Sequence, residues 1–199
     1  MDIYFITDNR PKLELSSLLI PLLEHGLKKI QLRNKMISVG EIQEKIEYLL
    51  PIFKRFEAEL IINDHLDLAV RYGIGVHLGM SDGDPVLARK KLGKEATIGI
   101  TINDNIQRAE QYKDIVDYVG VGPVFPTKTK LDAKSPIGIE RLKEVVITSP
   151  LPVVAIGGIQ HNNAHQLIVP NPKYIAVCSA ICSSKKPLDA FLRLRRIIR

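Results

Sequence analysis

Short apolar segments recur along the chain at nearly regular intervals. Each has four to six residues, is rich in β-branched side chains and is bounded by polar or turn-forming residues. This pattern is typical of buried strands. The eight segments are residues 3–7, 29–33, 60–64, 75–79, 97–101, 118–122, 152–157 and 174–179.

Stretches with apolar residues at helical spacing separate these segments. The most regular is 39–56, whose apolar positions predict an amphipathic helix, and Pro51 inside it predicts a kink or a break. Pro85 and Pro187 each occupy a position typical of the first turn of a helix. The predicted helices are 15–27, 39–56, 65–72, 85–92, 105–112, 139–147, 163–169 and 187–198.

Strand and helix alternate eight times without a linker or a shift in composition. Such alternation predicts parallel βα units, and eight of them predict a closed (β/α)8 barrel, a TIM barrel of the α/β class. We expect one domain over residues 1–199, which is a minimal length for this fold. An open, doubly wound sheet is the alternative.

Barrel enzymes carry their active sites at the carboxyl ends of the strands. In this chain the predicted strand ends are strongly polar and carry charges of both signs. The residues at these ends are Thr7, Asp8, Gln31, Arg33, Lys35, Asn63, Asp64, Gly79, Met80, Ser81, Asp82, Thr101, Thr127, Thr129, Lys130, Gly157, Gly158, Cys178 and Ser179.

Two anion sites are predicted from these positions. The cations Arg33, Lys35 and Lys130 could hold several phosphate charges. Asp64 and Asp82 follow neighbouring strands, and two carboxylates beside phosphates suit Mg²⁺. The second site is a phosphate cradle after the seventh and eighth strands, where many barrels bind phosphate. Its candidate residues are Gly157, Gly158 and Ser179.

The segment 118–138 connects the sixth strand to this polar edge. It starts as a run of valine and glycine and continues into a loop with Thr127, Thr129 and Lys130. Hydroxyls, a lysine and a closely approaching backbone can bind an anion. A surface loop that follows an ordinary strand is the alternative.

Structural explanations exist for the other candidates too. Gln31 and Arg33 could form a polar layer inside the barrel, and Asn63–Asp64 could cap the next helix. Asp82 could belong to a turn, and the glycine pair could serve backbone packing alone. His77 is interpreted as a core histidine or one that supports the site.

Composition and charge narrow the classes of protein to which the chain could belong. Of 199 residues, 45% are hydrophobic and 25% charged, as in globular proteins, and no uncharged apolar run is long enough to span a membrane. The amino terminus does not resemble a signal peptide, so we expect a cytoplasmic protein without a membrane partner. The net charge of +6 comes partly from the basic segment 193–199, which a solvated helix face explains better than nucleic-acid binding. Cys178 and Cys182 are interpreted as small buried residues, without zinc-ligand spacing.

Several motifs together resemble the thiamine-phosphate synthase family. They are YFITD, QLRNK, IINDHLDLA, GVHLGMSD, IGIT, DYVGVGPVFPTKTK, VVAIGGI and CSAI, and they extend through nearly the whole chain. The resemblance implies a (β/α)8 barrel, a requirement for Mg²⁺, and two small-molecule substrates. These are an aminomethyl-pyrimidine diphosphate and a hydroxyethyl-thiazole phosphate, joined to give thiamine phosphate and pyrophosphate.

The resemblance also implies roles for individual residues. Gln31, Arg33, Lys35, Asn63 and Thr101 would contact the pyrimidine diphosphate, and Asp64 and Asp82 would hold Mg²⁺. Arg33, Lys35 and Lys130 would be catalytic because they would stabilise the leaving diphosphate. The remaining contacts, to the thiazole phosphate, would come from Thr127, Thr129, Gly158, Cys178 and Ser179.

Two positions depart from the family pattern. Met80 stands where the family commonly has glutamine, and Asn103 stands where a histidine often follows the fifth strand. Thr101 replaces the usual serine, and its hydroxyl should still serve. A thiazole tautomerase of the same fold and a non-catalytic phosphate-ligand-binding barrel are the alternatives. The tautomerase is less favoured, because its acid–base histidine would stand at Asn103. The chain could also form a homo-oligomer.

Overall fold

Eight parallel strands close into a barrel in sequence order. The computed structural model describes residues 1–127 and 135–199. Each strand pairs with its neighbours in sequence, and β8 pairs with β1, so the predicted (β/α)8 barrel is confirmed and the open sheet is excluded. The strands are β1 (Asp2–Ile6), β2 (Lys29–Leu32), β3 (Glu59–Asn63), β4 (Gly75–Leu78), β5 (Ile98–Asn103), β6 (Tyr118–Val121), β7 (Val153–Ile156) and β8 (Tyr174–Val177).

Helices follow the strands and cover the outside of the barrel. In the described ranges they are α1 (Lys12–Glu24), α2 (Val39–Arg55), α3 (Leu66–Tyr72), α4 (Pro85–Leu92), α5 (Ile106–Gln111), α6 (Gly138–Thr148), α7 (Ser179–Cys182) and α8 (Pro187–Ile197). A 3-10 helix, Ala164–Ile168, connects β7 to β8 where the sequence predicted an α-helix.

The ends of β5 and β8 also differ from the sequence predictions. β5 continues past Thr101 to Asn103 through a register shift, so Thr101 lies inside the strand. Ser179 does not belong to β8 but begins the short helix α7, which was not predicted.

Helix α2 is not broken at Pro51, although a proline removes one backbone hydrogen bond. The helix continues to Arg55, and Phe53 in its last turn is 1% exposed. Burial of this ring holds the last turn against the barrel and offsets the missing bond. At the other end Ser38 and Glu41 form a capping box.

Two apolar clusters stabilise the barrel. The larger cluster lies between the strands and the surrounding helices and includes Phe5, Leu19, Ile46 and Phe191. The smaller cluster fills the inside of the barrel and consists of Tyr4, Ile6, Ile61, Tyr118, Val154 and Ala176, with Ile156, Tyr174 and Cys178 packed against it. Apolar side chains therefore fill much of the barrel interior.

The amino-terminal end of the barrel is closed by an ion pair and aromatic rings. Lys29 pairs with Glu59 on the neighbouring strand. The Lys29 ammonium lies 5.3 to 5.6 Å from the ring centroids of Tyr4, Tyr118 and Tyr174. These rings stabilise a buried cation that has one carboxylate partner.

Within residues 1–127 and 135–199, none of the helices combines the length and the apolar character needed to cross a membrane.

Gly99 makes room for the ring of Tyr118 inside the barrel. A Cβ atom at Gly99 would lie 2.0 Å from Cζ of Tyr118, the residue opposite it on β6. We expect Gly99→Ala to lower the free energy of unfolding by about 1–3 kcal/mol, because a packed core resists added volume. Denaturant unfolding monitored by circular dichroism measures this change.

Gly40→Ala is the matched control. The nearest atom to a Cβ at Gly40 is Oγ of Ser38 at 3.9 Å, an ordinary contact near the start of α2. The same added methyl group should leave stability unchanged or raise it by up to about 1 kcal/mol. Equal losses for the two variants would contradict the packing explanation for Gly99.

Candidate active site

A cavity of about 360 Å³ opens at the carboxyl ends of the strands. Its size suits small-molecule ligands. Of the residues that the sequence predicted for the site, those in its lining are Gln31, Arg33, Lys35, Asn63, Asp64, Asp82, Thr101, Thr127, Gly158, Cys178 and Ser179. The predicted residues Thr129 and Lys130 lie outside the described residues. Met80 and Asn103, the two departures from the family pattern, also line the cavity.

Asp64 and Asp82 form an acidic edge of this cavity. Asp64 follows β3 with a positive φ of 68°, a conformation that aspartate tolerates better than most residues. Burial raises the pKa of its carboxyl above the ordinary value, and the neighbouring Asp82 raises it further. Oδ2 of Asp82 accepts a hydrogen bond from the Gly79 N–H at 3.0 Å, which fixes the second carboxylate.

The acidic edge fits an oxygen-binding divalent cation. Two crowded carboxylates repel each other, and a cation would relieve this repulsion. The ammonium of Lys35 partly does so, 3.2 Å from Oδ2 of Asp64. Among the described residues, no group of three or more His, Cys, Asp or Glu side chains could hold a metal ion. Further ligands for Mg²⁺ would therefore be oxygens from water, the substrate, the backbone or neutral side chains.

Arg33 brings a second positive charge to the same side. Its backbone N–H donates to Oγ1 of Thr7 at 3.2 Å, which connects the ends of β1 and β2. Arg33 lines the cavity, and its guanidinium forms no salt bridge with a residue that the structure describes. The positive charge is therefore available to an anionic ligand.

Gly157 and Gly158 form a turn where no side chain would fit. Their φ angles are 100° and 65°. A Cβ atom at Gly157 would lie 2.4 Å from Cβ of Pro123, and one at Gly158 would lie 2.5 Å from the carbonyl oxygen of Pro126. Close packing of the β6–α6 loop against this turn thus explains the glycines, and both also line the cavity.

A chain of hydrogen bonds crosses the barrel below the cavity. Nε2 of Gln31 donates to the Tyr4 hydroxyl at 3.0 Å, and this hydroxyl is 2.8 Å from that of Tyr118. His77 continues the chain, with Nδ1 3.0 Å from the Tyr118 hydroxyl and Nε2 3.0 Å from Oγ1 of Thr101. The interpretation of His77 as a histidine that supports the site agrees with these contacts.

Sequence reasoning missed Tyr4 and Tyr118 as parts of this chain. Both lie within apolar strands, a position that predicts packing in the core and gives no sign of a role for the hydroxyl. Burial is the main cause that raises the pKa of both hydroxyls. The two tyrosines therefore remain neutral and orient the polar groups of the cavity floor. A glycine opposite an aromatic residue, as Gly99 is opposite Tyr118, is a signal that could have located the interior ring.

Cys178 and Cys182 have pKa values displaced in opposite directions. A hydrogen bond from Cys182 lowers the pKa of Cys178 against the effect of burial, and the charges of Arg33 and Arg10 lower it further. The same hydrogen bond raises the pKa of Cys182 far above the ordinary value. Since Cys178 also lines the cavity, we expect it to be the more reactive thiol.

We expect iodoacetamide to alkylate Cys178 before Cys182 near pH 8, because the thiolate is the reacting form. Peptide mass spectrometry over a time course measures the order of modification. Cys178→Ser should remove the fast phase, and faster modification of Cys182 would contradict the predicted difference in pKa.

Known proteins resemble this chain in sequence and in structure. The model of the family described as thiamine monophosphate synthase matches residues 3–181. A thiamine-phosphate synthase from Archaeoglobus fulgidus is 36% identical over 200 residues, covering 100% of this chain and 94% of that protein. One from Vibrio campbellii is 35% identical over 190 residues, with 94% and 93% covered.

Among solved structures, a thiamine phosphate pyrophosphorylase from Pyrococcus furiosus has a similar fold. It aligns with a TM-score of 0.85 and 30% identity, covering 99% of this chain and 95% of the other. The family resemblance seen in the motifs is thereby confirmed. The chain belongs to the thiamine monophosphate synthase family and is a transferase.

Proposed function

We propose that this protein is a thiamine-phosphate synthase. It joins 4-amino-2-methyl-5-pyrimidinylmethyl diphosphate to hydroxyethyl-thiazole phosphate, and releases pyrophosphate. The observation that carries the proposal is that one cavity combines cations and an acidic edge, which follow β2 to β4, with a glycine turn after β7 and a serine at the start of α7. Two separate anion subsites suit two phosphorylated substrates.

The diphosphate subsite lies beside the acidic edge. Arg33 and Lys35 bind the diphosphate oxygens, and Asn63, which is 8% exposed, lines the same wall. Asp64 and Asp82 hold Mg²⁺, which when bound supplies positive charge beside the diphosphate. Gln31 and Thr101 lie at the floor, where the tyrosine hydroxyls and His77 fix their orientation.

The thiazole-phosphate subsite lies at the ends of β7 and β8. Gly158, Cys178 and Ser179 line this part of the cavity, and Thr127 reaches it from the loop after β6. We assign Thr129 to the same phosphate and Lys130 to the leaving diphosphate on the family motif, since both lie outside the described residues.

In the proposed reaction the bond between the pyrimidine methylene carbon and the diphosphate oxygen breaks, and its electron pair leaves with the diphosphate. The thiazole nitrogen donates its lone pair to the methylene carbon and forms the new C–N bond. Arg33, Lys35 and Lys130 stabilise the charge that develops on the leaving group. The phosphate of the thiazole holds its nitrogen in line for attack.

The proposed reaction requires no protein base. The ring nitrogens of His77 form hydrogen bonds with the hydroxyls of Tyr118 and Thr101. We therefore assign His77 to orienting the side chains of the cavity floor. Asn103, which ends β5 and lines the cavity, cannot serve as the acid–base group of a thiazole tautomerase. The partners proposed here are therefore the two small molecules and Mg²⁺.

Purified protein incubated with both substrates and Mg²⁺ should form thiamine phosphate and pyrophosphate, detected by liquid chromatography with mass spectrometry. Chelation of Mg²⁺ with EDTA should abolish formation, and added Mg²⁺ should restore it. The same assay with the thiazole phosphate alone tests for the tautomerase. Absence of thiamine phosphate from folded protein would exclude the proposed activity.

Asp64→Asn and Asp82→Asn should each lower turnover by about 100-fold or more, because each removes a ligand that places charge beside the leaving group. Neither should lower the melting temperature measured without Mg²⁺, since the substitution removes repulsion between two carboxylates. Steady-state kinetics and thermal unfolding measure the two effects.

Asp84→Asn provides the control for this pair. Asp84 caps α4 by accepting from the Val86 N–H at 2.9 Å, a role that asparagine performs equally well. The same loss of charge two residues from Asp82 should leave turnover unchanged. A comparable loss in this variant would assign the effect to general electrostatics of the loop.

A further inference from the structure

Gln160 and Asn163 follow β7 and contact the groups of the thiazole-phosphate subsite without being part of its predicted residues. We propose that Gln160 is a positioning residue that orients the Ser179 hydroxyl towards the substrate phosphate, and that Asn163 holds Gln160 and Gly158 in place. This inference rests on the proposed function, because it deepens the assignment of that subsite.

The hydrogen bond between Gln160 and Ser179 determines the direction of the serine O–H group. Nε2 of Gln160 donates to Oγ of Ser179 at 3.0 Å. A hydroxyl has one proton and two lone pairs, so accepting from the amide leaves its own proton available. Within the described ranges the Ser179 side chain has no other hydrogen bond, and the residue lines the cavity. The hydroxyl is thus prepared to donate to an anion.

Asn163 fixes the loop from which Gln160 extends. Its Oδ1 accepts from the backbone N–H of Gln160 at 2.7 Å, and its Nδ2 donates to the carbonyl oxygen of Gly158 at 2.9 Å. One side chain therefore sets the backbone of both Gly158 and Gln160. Because Gln160 then reaches Ser179, the loop after β7 and the start of α7 are held in one arrangement.

This arrangement also includes the loop after β6. The N–H of Phe125 donates to the carbonyl oxygen of Gly157 at 3.0 Å, and the N–H of Val124 donates to that of Ile156 at 2.9 Å. The segment that leads to Thr127 therefore rests on the turn that Asn163 closes. The same network of hydrogen bonds therefore holds three groups that we assign to the thiazole phosphate: Gly158, Ser179 and Thr127.

Gln160 is only partly buried, so its contribution to binding can be separated from stability. Gln160→Ala should raise KM for the thiazole phosphate about 3- to 10-fold, the range expected for one lost orienting hydrogen bond. KM for the pyrimidine diphosphate and the melting temperature should change little. A loss of stability with equal changes in both KM values would overturn the proposal.

Gln160→Glu is the sharper test because the side chain keeps its size. A carboxylate accepts the serine proton and adds negative charge near the phosphate, so KM for the thiazole phosphate should rise more than about 10-fold. A smaller effect than that of Gln160→Ala would show that the amide merely fills space and would overturn the proposal.

Matched controls lie in the same segment. Asn162 and Gln166 are exposed, and neither side chain forms a hydrogen bond to a described residue. Asn162→Ala and Gln166→Ala repeat the chemical change of the two tested positions and should leave both KM values unchanged.

A double-mutant cycle tests the path through Ser179. In a Ser179→Ala background, Gln160→Ala should cause less than about a 2-fold further change in KM, since the hydroxyl it orients is gone. Multiplicative effects would show that Gln160 acts independently of Ser179 and would overturn the inference. Asn163→Ala should raise KM for the thiazole phosphate in either background, because Gly158 also depends on it.

These outcomes are distinguishable from failure of the proposed function. If the unmodified protein makes no thiamine phosphate, the synthase assignment fails first. Product formation with unchanged kinetics in Gln160→Ala and Gln160→Glu would refute only the role of Gln160. Isothermal titration with the thiazole phosphate supplies a measurement that does not require turnover, and should show the same order of affinities.

Discussion

Closure of the sheet is the constraint on which the rest of this structure depends. Once β8 pairs with β1, alternate side chains of all eight strands share one narrow interior. Apolar residues fill most of this space, and every polar group in it needs a partner. The hydrogen-bonded chain through Tyr4, Tyr118 and His77 meets that need and ends on side chains of the cavity floor. The side chains that pack the barrel interior therefore also fix the orientation of the polar groups at the cavity floor.

Much of the fold could be predicted from the sequence, because buried parallel strands are continuous apolar runs and the helices between them are amphipathic. The strands were located to within two residues. The continuity of α2 across Pro51 could not be predicted, since it depends on burial of Phe53 against the barrel. The 3-10 connection after β7 was missed for a similar reason: its buried residues are Ala164 and Leu167, and tertiary packing decides such a short element.

The candidate site was predictable where chemistry follows directly from position. Charged and hydroxyl residues at strand ends must meet when the strands are parallel, and Arg33, Asp64 and Ser179 do line one cavity. Gln160 was not found because it lies beyond the strand end, and its contact with Ser179 joins positions 19 residues apart. Long-range contacts of this kind depend on the arrangement of two loops, which periodicity does not describe.

The ion pair between Lys29 and Glu59 at the amino-terminal end of the barrel limits how substrates and products enter and leave. Lys29, Glu59 and the surrounding tyrosine rings close the amino-terminal end of the barrel. In the proposed reaction both substrates then enter, and both products leave, through the opening at the carboxyl ends of the strands. A closed base therefore makes the carboxyl-terminal mouth of the barrel the shared route for both substrates and both products.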